Sequence, residues 1–399
     1  MVIINDKGKC SGCGACVQIC PKKCIDFKSD SEGFLYPIVD KSQCIECNLC
    51  NKVCQYQTEA TDRKPIDIYA AYNLNSDVRN ESSSGGMFNA LAEYIINKGG
   101  VVFGAAFDEN WNVKHIAIEH KEDLYKIRGS KYLQSRTGDT YKECASFLKQ
   151  NRWVLYTGTP CQILGLNNFL RKEYDKLITV DVVCHGVPSP KVWQIYLKEL
   201  VNGSIIKSIS FRSKIKGWRN YSLIINTDDR TYTFPIEENV SSYMKGFLKD
   251  LYLRPSCYNC ISKKFRSFSD ISIADYWWIQ NVAPEMDDNK GCSQVYINTK
   301  KGLDIFNSLN IYKKETFTED EIKQAYMFSG AVSHSAKYNR KRDLFFKKMN
   351  EVEIIPLIEK LSAPTVKEKI FITVRDIVRE NRAILNFYKK YVKPLINKL

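Results

Sequence analysis

The chain has no apolar run of roughly 18 or more residues, so nothing in it predicts a helix that crosses a bilayer. Its first residues, Met1-Val2-Ile3-Ile4-Asn5-Asp6, carry neither the basic start nor the apolar stretch of a secretory signal. There is no G-x-G-x-x-G, which leaves a Rossmann dinucleotide site without support, and no nucleic-acid-binding motif. Acidic residues are in deficit: 45 Asp and Glu against 59 Lys and Arg leave a net charge of +14. Such a surplus fits an acidic redox partner or a phosphorylated cofactor better than nucleic acid, and a lysine-rich proteome accounts equally well for its bulk. At 399 residues, 44% of them hydrophobic, the chain is long enough for a sizeable core and for more than one domain.

Cysteine is what the sequence has in excess. Nine of its 15 cysteines fall within the first 54 residues, and eight of them write one motif twice. Cys10, Cys13, Cys16 and Cys20, followed by Pro21, and Cys44, Cys47, Cys50 and Cys54 both read C-x2-C-x2-C-x3-C. This is the run that binds [4Fe–4S] cubanes in two-cluster ferredoxins, where the fourth cysteine of each run serves the other cluster. Three thiolates spaced by two residues reach three corners of one cube, and the fourth points away. Cys10, Cys13, Cys16 and Cys54 are therefore expected on one cluster, and Cys44, Cys47, Cys50 and Cys20 on the other. A disulfide framework suits a short secreted chain, and zinc leaves half of each run without a task. Reduced thiols and cubanes imply a reducing cytosol. Cys24 stands outside the pattern and reads as a packing residue.

After a polar stretch, Thr58-Glu59-Ala60-Thr61-Asp62-Arg63-Lys64-Pro65, which reads as a linker, strand and helix patterns alternate. Strands are expected over 68–72, 101–107, 153–157 and 177–183, and helices over 87–97, 138–149, 162–171 and 190–201. Residues 222–227 and 231–235 read as a hairpin around Asp228-Asp229-Arg230. This alternation argues for an α/β domain. Residues 364–399 are basic and amphipathic, with Ile370, Val374, Ile377, Val378, Leu385, Tyr388 and Val392 as an apolar stripe. That stripe suits a terminal helix docked on its own domain or a second subunit; a helix lying on an anionic membrane face is the other reading.

Of the six later cysteines, Cys144 and Cys292 read as core. Cys161 follows Gly158-Thr159-Pro160 at a strand-to-helix turn, Cys184 ends a strand, and Cys257 and Cys260 form a C-x-x-C. Ligands of open α/β sheets collect at the carboxyl ends of strands. Four thiols there suffice for a third [4Fe–4S] cluster; a redox-active C-x-x-C with two buried thiols remains the alternative. Gly85-Gly86 after Ser82-Ser83-Ser84, and Gly158-Thr159-Pro160, each open a helix and offer an anion site or a plain cap. Trp277-Trp278 reads as core rather than as a cofactor wall.

Several short runs, in order, resemble the family of coenzyme F420 hydrogenase/dehydrogenase beta subunits over roughly residues 66–310. They are Ser83-Ser84-Gly85-Gly86, Arg128-Gly129-Ser130-Lys131-Tyr132-Leu133-Gln134-Ser135, Gly158-Thr159-Pro160-Cys161-Gln162 and Val183-Cys184-His185-Gly186-Val187-Pro188-Ser189-Pro190. Further on come Arg254-Pro255-Ser256-Cys257-Tyr258-Asn259-Cys260, Ser269-Asp270-Ile271 and Ala274-Asp275-Tyr276-Trp277. Many bacterial members carry an N-terminal two-cluster ferredoxin. The resemblance implies FAD and a third [4Fe–4S] cluster in the same domain, with Cys161, Cys184, Cys257 and Cys260 as ligands. It places the flavin against Ser84, Gly85, Gly86, Lys131, Tyr132, Gln134, Gly158 and Thr159.

The organisation expected is a small α+β two-cluster ferredoxin-like domain (1–58), an α/β flavin and iron–sulfur domain (66–345) and a basic helical C-terminus (346–399). The activity expected is an iron–sulfur flavoprotein oxidoreductase that exchanges electrons with an acidic ferredoxin or similar partner and with an organic acceptor or donor. Lys131 would stabilise an anionic reduced flavin, and His185 would supply a proton. F420 itself does not transfer with the resemblance. The rival readings are an electron-relay subunit without a substrate of its own, and a membrane-surface accessory protein of a polysaccharide pathway.

Overall fold

The computed structural model describes residues 2–57, 61–314 and 330–364. The basic stripe expected over 364–399 lies, but for residue 364, outside them. Among the described residues no helix is long and apolar enough to cross a membrane.

The N-terminal module is built on one antiparallel pair, β1 (Ile25–Ser29) and β2 (Leu35–Val39), with two short helices, Ala15–Ile19 and Leu49–Lys52. Each helix lies within one cysteine run, so the fourth cysteine leaves the helix in a different direction from the first three. Gly12 sits at φ +70°, and a Cβ there would stand 2.9 Å from both Arg254 Nη1 and Gln134 Nε2. Only glycine lets the first cysteine loop lie this close to the rest of the protein.

The body is an eight-stranded mixed sheet. Its strands are β3 (Asp67–Asn73), β4 (Val101–Phe107), β5 (Val113–Ile118), β6 (Val154–Gly158) and β7 (Leu177–Val182), completed by β11 (Ile271–Asp275), β12 (Ser293–Ile297) and β13 (Ile311–Lys314). The order is β13-β3-β12-β11-β7-β6-β4-β5. The central four, β11, β7, β6 and β4, run parallel, and the remaining pairs are antiparallel. The central strands are covered on both faces, which explains why β4 reads as a continuous apolar run and why polar residues such as Thr157, Thr179 and Ser272 on the other central strands are buried. On one face the helix Met87–Asn97 buries Met87, Leu91, Ala92 and Ile95 against Val102, Leu155 and Ile178. The other face receives Tyr141, Tyr156, Ile163 and Leu166.

A second, three-stranded sheet, β8 (Ile206–Ser213), β9 (Ser222–Thr227) and β10 (Thr231–Pro235), contains the expected hairpin. It shares a core with the helices Pro190–Val201, Ser242–Leu248 and Ile354–Ser362. The last of these buries Ile354, Leu357, Ile358 and Leu361, so the body's core continues past residue 345.

The module is pressed onto the body. Thr137 Oγ1 donates to the Cys13 carbonyl at 3.0 Å, and the Tyr141 N–H donates to Gln18 Oε1 at 2.9 Å. Arg342, reaching back over 310 residues, grips Glu32 with both terminal nitrogens. The described part of the expected linker, residues 61–65, is tied down at Asp62, which pairs with Lys264 and Arg266.

Candidate redox site

Cys10, Cys13, Cys16 and Cys54 line one small pocket; Cys20, Cys44, Cys47 and Cys50 line a second. The crossing of the two fourth cysteines is thus present in the geometry. Burial pushes the Cys13 thiol up to about 11, with Cys10 and Cys54 adding to the effect, and raises Cys16 and Cys54 in the same way. Thiols so placed cannot all ionise unless a positive centre sits among them. Among the described residues no three His, Cys, Asp or Glu side chains close on a single metal ion. A cubane has its irons at separate corners and takes ligands spaced around it. Cys24 packs in a buried cluster with Val2 and Ile25, as expected. It also stands in the wall of the second pocket, with its sulfur 3.4 Å from Cys20 Sγ.

The body brings four further thiols together. Cys161 enters the helix Pro160–Leu170 just beyond β6, Cys184 lies just beyond β7, and Cys257 and Cys260 flank the end of a short 3-10 turn, Pro255–Asn259. Parallel β6 and β7 release their carboxyl ends at the same edge of the sheet, which is why two cysteines from separate strand ends meet there. The Cys184 thiol is raised to about 11 by burial and Cys260 against the lowering effect of Lys263, and Cys257 is raised to about 12 by burial and then by Cys184 and Cys260. Cys161 is raised by burial and then by Cys260, Cys184 and Cys257. Lys263 is buried beside this group and donates to the Cys184 and Ala331 carbonyls. Cys144 and Cys292 are buried elsewhere in the core, as expected.

Two consecutive residues connect the module to this group. Gln55 Nε2 donates to Ser11 Oγ at 2.6 Å and to the Cys161 carbonyl at 3.3 Å, while its Oε1 accepts from Ser262. Tyr56 lines the Cys10 pocket, and its phenol is raised by burial and by Cys161, Cys260 and Cys257. The pocket of Cys20 and Cys44 lies farther out, and Cys47 there is exposed.

Cys161 and Cys184 also reach the wall of a cavity of about 580 Å³. Ser84, Gly86, Lys131, Tyr132, Gln134, Gly158, Thr159 and His185 line it, so nearly all the expected contact residues converge. Gly85 is the exception. It is packed behind the wall, its N–H donates to Ser293 Oγ, and a Cβ there would stand 2.5 Å from the Ala71 carbonyl oxygen. The Thr159 N–H is likewise taken, by Gln162 Oε1 in a local cap. Lys131 Nζ donates to the Arg128 and Gly129 carbonyls, and burial pushes its ammonium down to about 7. His185 is at the exposed rim, with Nε2 against Asp250 and its ring edge-on to Phe247.

Two wall residues, Arg212 and His115, had no sequence signal, and a third, Trp277, reads as core in the sequence. Buried Arg212 from β8 makes a double contact with Asp275 and lies 4.0 Å from the centre of the Tyr221 ring and 4.9 Å from that of Trp277. Trp277 lines the cavity, stacked on Trp218 at 4.6 Å, and Trp278 is exposed, so the expectation that this pair fills core is corrected. The strand β11 ends at Asp275, which carries both residues out of the sheet before they can be enclosed. His115 on β5 is buried between Ser135 Oγ (2.8 Å) and the Thr157 carbonyl (2.9 Å). The carbonyl can only accept, so Nε2 carries a proton. Burial holds its pKa down at about 4.

These features define a class: an iron–sulfur redox chain, with a two-cluster ferredoxin-like module docked on a mixed α/β body. Comparison with known proteins agrees. A 4Fe–4S dicluster domain matches residues 9–58. The N-terminal part of "Coenzyme F420 hydrogenase/dehydrogenase, beta subunit" matches residues 68–140 and its C-terminal part matches 151–324, together more than half of the chain. The chain belongs to the family of coenzyme F420 hydrogenase/dehydrogenase beta subunits. It is 23% identical over 312 residues to the F subunit of the F(420)H(2) dehydrogenase of Methanosarcina mazei, covering 74% of this chain and 81% of that one. It is 25% identical over 336 residues to a coenzyme F420-dependent sulfite reductase of Methanocaldococcus jannaschii, covering 80% of this chain and 49% of the relative, so it spans about half of that protein's length. A chain of the F420-reducing [NiFe] hydrogenase complex from Methanosarcina barkeri aligns with a TM-score of 0.46 at 19% identity, over 74% of this chain and 97% of that one.

Proposed function

We propose that the chain is an iron–sulfur flavoprotein oxidoreductase in which three [4Fe–4S] centres lead to a flavin held in the large cavity. The observation that carries this reading is the continuity of the thiol groups: Gln55 bonds both the Ser11 hydroxyl beside Cys10 and the Cys161 carbonyl, Tyr56 at the Cys10 pocket is raised by Cys161, Cys260 and Cys257, and Cys161 and Cys184 belong to the cavity wall. On this reading Cys10, Cys13, Cys16 and Cys54 hold an inner cubane and Cys20, Cys44, Cys47 and Cys50 an outer one. Cys161, Cys184, Cys257 and Cys260 hold the third. Electrons are exchanged with an external partner at the outer centre, where Cys47 is exposed among the exposed Lys22, Lys23 and Lys41, a setting that suits an acidic ferredoxin.

The cavity fits a flavin in kind as well as in size. Its wall is mostly apolar, with Phe88, Ile127, Val183 and Ile273, and carries a few polar groups such as Ser84 and Gln134. When bound, FAD supplies the exchange between one-electron and two-electron chemistry that cubanes lack. Gly86 and Gly158 let the chain approach it closely, and the Lys131 ammonium opposes negative charge on its reduced form. His185, oriented by Asp250 at the open rim, is placed to pass a proton between solvent and a bound substrate.

The deciding experiment is anaerobic purification with iron, sulfide and flavin measured per chain. About twelve iron and one FAD are expected for three cubanes; about eight iron without flavin would reduce the function to that of the ferredoxin module. A second reading is favoured by the Methanosarcina mazei relative, which is named as one subunit of a dehydrogenase. The chain would then relay electrons to a separate catalytic partner, and the isolated protein would turn over artificial dyes alone.

A further inference from the structure

Arg254 belongs to the segment that leads into Cys257 and Cys260, yet its side chain serves the other end of the molecule. It is completely buried. Nε donates to the Cys10 carbonyl at 2.7 Å, Nη2 to the Leu35 carbonyl at 2.9 Å and Nη1 to Gln134 Oε1 at 3.0 Å. Nη2 also lies 3.5 Å from Cys10 Sγ, within hydrogen-bonding reach of a sulfur acceptor. The guanidinium lies 4.4 Å from the Tyr36 ring centre and 5.5 Å from that of Phe34, which shields it from solvent. Among the described residues, no carboxylate comes within ion-pair distance of it. The other buried arginines behave differently: Arg79, Arg212 and Arg342 each hold a carboxylate, on Asp288, Asp275 and Glu32.

A buried cation without a carboxylate is costly unless other negative charge faces it. Four cysteine thiolates around a cubane give the assembly a net negative charge, and reduction makes that charge larger. A cationic N–H donor at a ligand sulfur therefore stabilises the reduced state more than the oxidised one. Net charge and hydrogen bonds to the sulfurs are among the factors that set the potentials of such clusters. The donor here comes from the body, not from the cysteine module. The carbonyl of the same Arg254 accepts the Cys257 N–H at 2.9 Å, so one turn of chain fixes a ligand of the third centre and the donor to the inner one.

We propose that Arg254 is a positioning residue that raises the reduction potential of the inner N-terminal centre, through its hydrogen bond to Cys10, only when the module is seated on the body. A higher potential at the inner centre favours the passage of electrons from the outer centre inward. This inference rests on the reading of Cys10 as a ligand of the inner cubane.

The test is an EPR-monitored redox titration of the full-length, anaerobically purified protein and of Arg254→Gln. With iron content unchanged, one N-terminal centre should move to lower potential in the variant while the other centres stay in place. Unchanged midpoints with full iron overturn the proposal. Should Arg254→Gln lose iron or fail to fold, wild-type protein labelled with 15N-arginine decides instead. Pulsed EPR of the reduced inner centre should show coupling to a guanidinium nitrogen, and its absence overturns the proposal equally. A wild-type protein without N-terminal iron would overturn the ligand reading, a result distinct from either.

Discussion

Gly165, on the helix that carries Cys161, faces Cys13 so closely that a Cβ placed on it would stand 2.8 Å from Cys13 Cβ and 3.0 Å from Cys13 Sγ. One helix of the body thus forms the seat of the inner cysteine group. Helix propensity alone favours alanine here by roughly 1 kcal/mol. Overpacking costs about 1–3 kcal/mol and should prevail if, as proposed, Cys13 is held as a cluster ligand and cannot step aside. Gly165→Ala is expected to lower the melting temperature and to reduce iron by about one cubane of three. Full iron with raised stability would mean that the contact relaxes.

His115 gives a pH dependence with a definite sign. The unfolded chain takes up a proton near pH 6.5, whereas the folded site resists it until about pH 4. The unfolded state binds more protons in that window, so stability present above pH 6.5 is lost as the pH falls toward 4. The contribution is on the order of 3 kcal/mol. His115→Gln should flatten that part of the profile, read as the wild-type-minus-variant difference in urea midpoints from pH 7 to 4. A difference that does not change with pH counts against the neutral buried imidazole.

The pair between Glu32 and Arg342 fastens the module to the far end of the chain, and the Arg342 side chain is only 5% exposed. Glu32→Ala leaves that cation buried without its carboxylate and should cost about 3–5 kcal/mol. Replacing both residues, as Glu32→Ala with Arg342→Met, should recover part of the loss. A double-mutant cycle by chemical denaturation measures the coupling; additive effects would show that the two residues act independently.

Lys131 tests the cavity. With its ammonium depressed to about 7 by burial, it gains most from an anion placed beside it. Lys131→Met is expected to lower FAD retention or shift the flavin potential downward. Unchanged FAD content and potential would remove the residue from the site.

The outer centre tests the partner. Reduction of the protein by an acidic ferredoxin should slow as ionic strength rises, and Lys22→Glu with Lys23→Glu should slow it by about tenfold at low salt. Rates that are insensitive to both would point to another docking face.

The two N-terminal cysteine runs announced a two-cluster iron–sulfur module and the grouping of Cys54 with Cys10 and of Cys20 with Cys44, because the motif is local: a cubane needs its ligands at short, fixed spacings, and sequence records spacing directly. Strand and helix order in the body was legible for a similar reason, since a strand covered on both faces is rich in apolar residues and its connecting helices are amphipathic. Met87–Asn97 and Val101–Phe107 follow the pattern residue by residue. What the pattern could not record is which ends meet. The order β13-β3-β12-β11-β7-β6-β4-β5 brings Cys161 and Cys184 to one edge and carries Trp277 into the cavity wall and Trp278 into solvent. Arg212 and His115 had no motif, and Arg254 stood in a recognisable run only as a residue ahead of Cys257 and Cys260. Their roles come from burial, and burial is decided by residues far away in the chain: Asp275 for Arg212, Thr157 for His115 and Cys10 for Arg254. The sequence determined the cysteine chemistry, and the tertiary structure decided its order in space, because ligand spacing is a property of one short segment while juxtaposition is a property of the packed whole.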